Sequence, residues 1–210
     1  MPIKTPVMLP YPSSEYMLVL SPDEHLQERI GKIRQAIAEK ITEKTGEKTT
    51  PRQTAGKSNI LLARWQSLDM HEERLLRHLQ VLCMEQYPFR AQLENFAGLP
   101  SHTMYIPVTS REPILRLVAR IRQHKRLMRT SNISTAYFIS EPMMTLFKGL
   151  TPLQYEQAMS IFASRHFNAG FTADAMLFLK RKAGSQAYQI LKRFSFEHLA
   201  VTARQGALFA

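Results

Sequence analysis

The chain has one cysteine, Cys83, one tryptophan and only eight glycines in 210 residues. A single thiol excludes an internal disulfide and a multi-cysteine zinc site, and it fits a reducing compartment. No apolar run approaches the ~20 residues needed to cross a bilayer; stretches such as 16–20 (YMLVL) are far shorter. The opening, MPIKTPVMLPYPSSEY, carries four prolines in place of a signal-peptide core. These absences predict a cytoplasmic protein with no membrane partner. There is no G-x-S-x-G elbow to present a nucleophilic serine. Ala55-Gly56-Lys57-Ser58 mimics the end of a phosphate-binding P-loop, but the earlier glycine position holds Pro51, and a strand follows where a helix is required. His71-Glu72 opens like a zinc-protease helix, yet the position four residues on is Leu75, and His78 falls about 10 Å along a helix from His71, too far to share one ion. The sequence therefore predicts no metal and no cofactor.

What is present is an ordinary globular composition, 44% hydrophobic and 21% charged, with a net charge of +11 and a pI near 10.0. The excess is localised. Residues 111–129 hold seven Lys/Arg against Glu112, and 180–204 hold six against Glu197, which together account for the whole imbalance. Concentration of positive charge in two elements points to a polyanionic partner, a nucleotide or RNA phosphate. In the first element the spacing buries Ile114, Leu117, Val118 and Ile121 and projects Arg116, Arg120 and Arg122 outward as a nucleic-acid surface.

Along the chain, 16–20 reads as a buried strand, and Ser21-Pro22-Asp23-Glu24 as a helix start, with Ser21 as N-cap and Pro22 at the first helical position. That helix runs to about Lys44. A loop follows over 45–58, where apolar periodicity is lost. Asn59 to Trp65 is a strand, and Asp69 caps a helix over 70–86, which Pro88 ends. Phe89 to Phe96 and Thr103 to Val108 make a hairpin, followed by the basic helix, about 112–128. The order then recurs: Asn132 to Ile139 as a strand, Thr151-Pro152 opening a helix to about Arg165, and a hairpin of 171–181 with 188–196. The chain is thus one bilobal domain over 1–210, with internal repeats at about 59–108 and 132–196, offset by 73 residues at their start, and a tail at 198–210. Each lobe is expected to be an antiparallel sheet with helices on one face, an α+β fold with a central groove.

The strand openings S-N-I-L-L-A (58–63) and S-N-I-S-T-A (131–136), together with TMYIPV and the FxxxxLxFLKR phrase, resemble the 2H phosphoesterase superfamily, which includes the 2′-5′ RNA ligase-like proteins and cyclic phosphodiesterases. The resemblance runs from Tyr16 to about Phe196. It implies two pseudo-symmetric lobes, each starting its motif strand with His-x-Thr or His-x-Ser, commonly P-H-I-T-L-A. It implies that two histidines work as general base and general acid on a phosphodiester while hydroxyls hold the phosphate. On that alignment the histidines fall at Asn59 and Asn132 and the hydroxyls at Leu61 and Ser134. Asparagine has no proton to exchange near neutral pH, and each missing acid or base removes about 10² to 10⁴ in rate.

The sequence therefore predicts a catalytically degenerate member whose groove binds a nucleotide, RNA end or other phosphate through Asn59, Asn132 and Ser134. Tyr105 and Tyr188 line the groove by repeat equivalence, and equally fit core packing with their hydroxyls at the rim. Two other readings stay open at this level: an active phosphodiesterase or RNA end-processing enzyme whose chemistry has moved to His102 or Tyr105, and a protein interaction scaffold.

Overall fold

A computed structural model describes residues 12–50, 57–128 and 135–199. Asn132, Ser134 and most of the 198–210 tail lie outside the described residues, as does part of the 45–58 loop.

The first strand, β1 (Ser13–Leu20), starts earlier than its apolar run because its N-terminal half alternates, with Ser14, Tyr16 and Leu18 buried between half-buried neighbours. Helix α1 (Glu24–Thr45) follows. Its cap is Asp23, not Ser21: the Asp23 carboxylate accepts from the Leu26 N–H at 2.9 Å, while the Ser21 hydroxyl turns to the Pro22 carbonyl. The carboxylate also complements the positive end of the helix dipole. Gly46 ends α1 at φ 72°, a left-handed conformation that favours glycine.

Strand β2 (Ile60–Leu68) leads through a 3₁₀ turn (Asp69–His71) into helix α2 (Glu72–Met84). Asp69 caps nothing, because its carboxylate is drawn to Tyr16 and Lys180 on the neighbouring strands. Leu75, Leu79, Leu82 and Cys83 of α2 are buried. Burial pushes the Cys83 thiol up to about 12, so it is core and no nucleophile at neutral pH.

Strands β3 (Phe89–Glu94), β4 (Ala97–Leu99) and β5 (Thr103–Pro107) come next. The expected β3–β5 hairpin does not form. β5 turns back on β4, and β3 pairs in a separate two-stranded sheet with β8 (Asn168–Ala173), from Phe89 opposite Ala173 to Glu94 opposite Asn168. Sequence alternation marks a strand but not its partner.

The basic helix α3 (Arg111–Arg122) is followed by a 3₁₀ turn (Lys125–Met128). Of the expected 132–139 strand, 132–134 lie outside the described residues and the remainder contributes short β6 (Tyr137–Phe138); β7 (Met143–Phe147), which the local pattern does not mark, is central to the sheet. Helix α4 (Pro152–Ala163) opens with a full capping box: the Thr151 hydroxyl accepts from the Gln154 N–H, and Gln154 Oε1 accepts from the Thr151 N–H. β9 (Ala175–Lys182) and β10 (Gln189–Ser195) close the chain as a hairpin.

Eight strands form one sheet in the order β10-β9-β1-β2-β7-β5-β4, with β6 beside β2. The two lobes therefore share a continuous sheet instead of holding one each. Its centre is the pairing of Ile60 with Met144 between β2 and β7. The flanks match across that centre: β1 pairs with β2 as β5 pairs with β7, and β9 lies outside β1 as β4 lies outside β5. Helix α1 joins β1 to β2, and α3 lies between β5 and β7. An approximate two-fold thus relates β1-α1-β2 to β5-α3-β7. Ile60 and Met144 on the two sides of it are both fully buried, and one core cluster joins the covered face of the sheet to residues of all four helices.

Candidate functional site

The face opposite the core cluster is the open one, and the ladder registers show which residues share it. Val19 stands opposite Leu61, Met17 opposite Arg64 and Glu15 opposite both Gln66 and Arg181; across the centre, Tyr105 stands opposite Thr145. Paired residues in an antiparallel sheet point to the same side, and side chains alternate along each strand. A bulge in the β1–β2 ladder at Leu18/Val19 shifts the alternation of β2 between Leu61 and Arg64, so Leu61, Thr145, Tyr105, Arg64, Gln66, Glu15 and Arg181 share the open face.

The two-fold suggests a different equivalence from the repeat read in the sequence. Rotation that carries Ile60 onto Met144 carries Asn59 onto Met143 and Leu61 onto Thr145, so the strand equivalent to N-I-L-L is M-M-T-L (143–146), preceded by Pro142. The offset of 73 residues, and with it the assignment of the second motif to Asn132 and Ser134, rests on local likeness of letters, and those two residues lie outside the described ones. The same rotation relates Tyr105 on β5 to Val19 on β1, not to Tyr188 beside β10. Tyr105 lies opposite Thr145 in the β5–β7 ladder.

Asn59, just before β2, is held by α1. Its Oδ1 accepts from Gln27 Nε2 at 3.1 Å, and the same Gln27 amide donates to the Ser58 carbonyl at 2.9 Å and accepts from the Ser58 N–H at 3.0 Å. Leu61 and Met143 are apolar, so Thr145 supplies the one hydroxyl among the four related positions. His102 lies at the β4–β5 turn with φ 55°, its carbonyl bonded to the Leu150 N–H and its ring 5.2 Å from that of Tyr155.

A second group sits further along β2. Arg181 pairs with Glu15, and Arg64 Nε lies 3.6 Å from the same carboxylate. Burial, followed by the proximity of the Glu15 carboxylate, pushes the ionisation of the Tyr188 hydroxyl up to about 12. The Arg181 guanidinium lies 5.0 Å over the Tyr188 ring. These charges border a cleft of about 590 Å³ reaching to Tyr137 and the 183–185 turn. Sequence reasoning finds Tyr188 but misses Glu15, Arg64 and Arg181. They lie in three segments far apart in the chain, Arg181 within a basic run that gives no sign of a carboxylate partner, and only the β2-β1-β9 registers bring them together.

On the covered face Tyr16 stacks with Trp65 and Phe178 at ring separations of 5.6 and 5.4 Å. Its hydroxyl donates to Asp69 at 2.9 Å and to Glu72 at 3.0 Å, and Lys180 Nζ lies 2.9 and 2.6 Å from the same two carboxylates. Burial is the largest influence on Tyr16 and, with both carboxylates, holds its proton on. Burial alone would raise Asp69, but its bonds to Lys180, Ser14 and Tyr16 outweigh this and hold it below the usual carboxylate range. Among the described residues no three His, Cys, Asp or Glu are arranged to hold a metal, and no helix is long and apolar enough to cross a membrane.

The bilobal α+β architecture with a central two-fold and an open face is shared with proteins of known structure. Residues 22–185 match the model of the 2′-5′ RNA ligase superfamily, and the chain belongs to that family. Among solved structures, Escherichia coli LigT complexed with 3′-AMP superposes with a TM-score of 0.61 at 15% identity, over 88% of this chain and 98% of that one. LigT complexed with ATP gives 0.58 at 14%, over 88% and 98%. TT0787 of Thermus thermophilus gives 0.58 at 16%, over 87% and 98%. Identities this low establish the shared fold. No curated protein matches the chain by sequence.

Proposed function

We propose that this protein binds a nucleotide, RNA end or other phosphate on the open groove face and does not carry out acid–base phosphodiester hydrolysis there. The observation that carries this reading is the content of the four positions related by the β2–β7 two-fold: Asn59, Leu61, Met143 and Thr145 include no side chain that exchanges a proton near neutral pH. Binding is supported by the two guanidinium groups, Arg64 and Arg181, that flank the single carboxylate of Glu15 on the open face, and by LigT structures with 3′-AMP and ATP. The test is a hydrolysis assay with 2′,3′-cyclic nucleotides. No turnover above background is expected, and rates on the order of 1 to 10³ per second would overturn the reading.

The basic helix α3 adds a second, sequence-independent contact to RNA in this reading. Arg116 pairs with Glu112 at 3.5 Å in a highly exposed i,i+4 arrangement, and Arg122 lies 5.2 Å over the Phe138 ring, so both stay available to a phosphate. Arg120 is different: it bonds Glu85 at 2.7 Å and Gln86 at 3.1 Å, tying α3 to the end of α2. Affinity for single-stranded RNA is expected to fall with salt at a log–log slope of about 0.7 per phosphate neutralised. Replacing Arg116 and Arg122 by Gln should flatten that slope, whereas Arg120→Gln should change it less and act on stability. A salt titration that separates the variants in the opposite order would remove α3 from the interface.

A further inference from the structure

We infer that the phosphate site lies in the cleft between Arg64 and Arg181, displaced along β2 from the related positions at the sheet centre, and that it takes the phosphate of a mononucleotide whose base lies against Tyr137. This rests on the proposed binding function and says where on the open face it is performed.

The sheet centre is poorly suited to an anion. Leu61 and Met143 would strip water from a phosphate without replacing its hydrogen bonds, which is costly for a polar group and more so for a charged one. The Oδ1 of Asn59 is taken by Gln27, which leaves only its Nδ2 and the Thr145 hydroxyl as donors, and no cation, among the four related side chains. Three residues further along β2, roughly 10 Å at strand rise, the conditions reverse. Arg64 and Arg181 flank a single carboxylate, Glu15, so the group keeps a net positive charge, and Lys182 adds another at the mouth of the cleft.

The two arginines have different roles. Arg181 is fixed by its bond to Glu15 and by the Tyr188 ring beneath it. Arg64 is 56% exposed and its contact with Glu15 is long, 3.6 Å, so it can turn its fork to a ligand at little cost. A guanidinium fork matches two phosphate oxygens, and two forks facing one cleft hold one phosphate group. Ser13 and Ser185 line the same cleft, the Ser185 hydroxyl being bonded to the Ala187 backbone. Tyr137, opposite Arg64 in the β2–β6 ladder, is 54% exposed at the cleft wall and offers a ring face for a base. The volume of about 590 Å³ suits a mononucleotide.

The test is calorimetric titration of the full chain with 3′-AMP, ATP and inorganic phosphate at low salt, with the melting temperature of each variant recorded. Arg64→Gln is expected to weaken all three ligands at least tenfold with little change in melting. Tyr137→Ala should weaken 3′-AMP and leave inorganic phosphate unaffected, and Thr145→Val should leave all three unaffected. If Arg64→Gln binds as the parent does while Thr145→Val weakens binding, the cleft assignment fails and the proposed function stands. If Arg77→Gln, on the distant α2 surface, weakens binding as much as Arg64→Gln, the attraction is diffuse and the site is overturned. If the parent binds none of the three, the binding function falls and the cleft with it.

Discussion

Lys180→Met is expected to lower the stability of the protein by about 3 kcal/mol, read as a fall in melting temperature of roughly 6–12 °C for a chain of this size. Among the described residues Lys180 is the one cation paired with both carboxylates, with side-chain exposures of 11% for Lys180, 25% for Asp69 and 23% for Glu72, so its removal leaves two part-buried negative charges sharing the Tyr16 hydroxyl. The pH dependence separates this from a simple packing defect. In the parent, Asp69 titrates below its ordinary value, so its contribution is present above about pH 4 and is lost as the pH falls through its folded value. Lys180 is first pulled down by burial, but the bonds and charges of Glu72 and Asp69 outweigh this and raise it. Its contribution is therefore full below about pH 10.5 and is lost as the pH rises through the raised value. The difference between parent and variant should be flat between about pH 5 and 9 and should shrink in acid, where protonation of the carboxylates removes the repulsion. A penalty that persists unchanged at pH 3 would mean that the lysine acts through its hydrocarbon stem alone.

Phe178→Ala should cost more, about 4 kcal/mol, or a melting temperature lower by roughly 8–16 °C. Phe178 is fully buried and its ring lies 5.4 Å from Tyr16 and 5.8 Å from Trp65, so the stack ties β9 to β1 and β2 through their covered face. Truncation leaves a cavity that three packed strands cannot readily collapse. Because position 178 faces away from the groove, nucleotide affinity measured well below the transition should match the parent. Loss of affinity in the folded variant would show that the covered and open faces are mechanically coupled.

Much of the fold can be read from local pattern because short-range physics decides it. The spacing of Leu26, Ile30, Ile33, Ile37 and Ile41, the Thr151-Pro152 start and the period of Ile114, Leu117, Val118 and Ile121 each specify a helix and its inward face, and those apolar residues are buried in the structure except Ile33, which packs half-buried against the core. Where two signals compete within one segment, the outcome belongs to the neighbours. Ser21 and Asp23 both cap well, and Asp69 precedes a helix as a cap should, yet its carboxylate is taken by Lys180 across the sheet. The strand β7 escapes local reading because Met-Met-Thr-Leu-Phe is as compatible with a buried loop as with a strand until β5 and β2 lie beside it.

The sequence by itself determined the α+β class, the positive charge, the lack of a titrating group at Asn59 and Leu61, and the resemblance that the family match bears out. Those properties follow from residue identity and from contacts within a few positions along the chain. Tertiary structure alone decided that one sheet spans both lobes, that Met143 and Thr145 stand where Asn59 and Leu61 stand in the other half, and that Glu15, Arg64 and Arg181 meet on one face. Strand registers between segments more than forty residues apart set these relations, and register is chosen by burying Tyr16, Trp65, Phe178 and Met144 together, a collective packing that no local window of sequence contains.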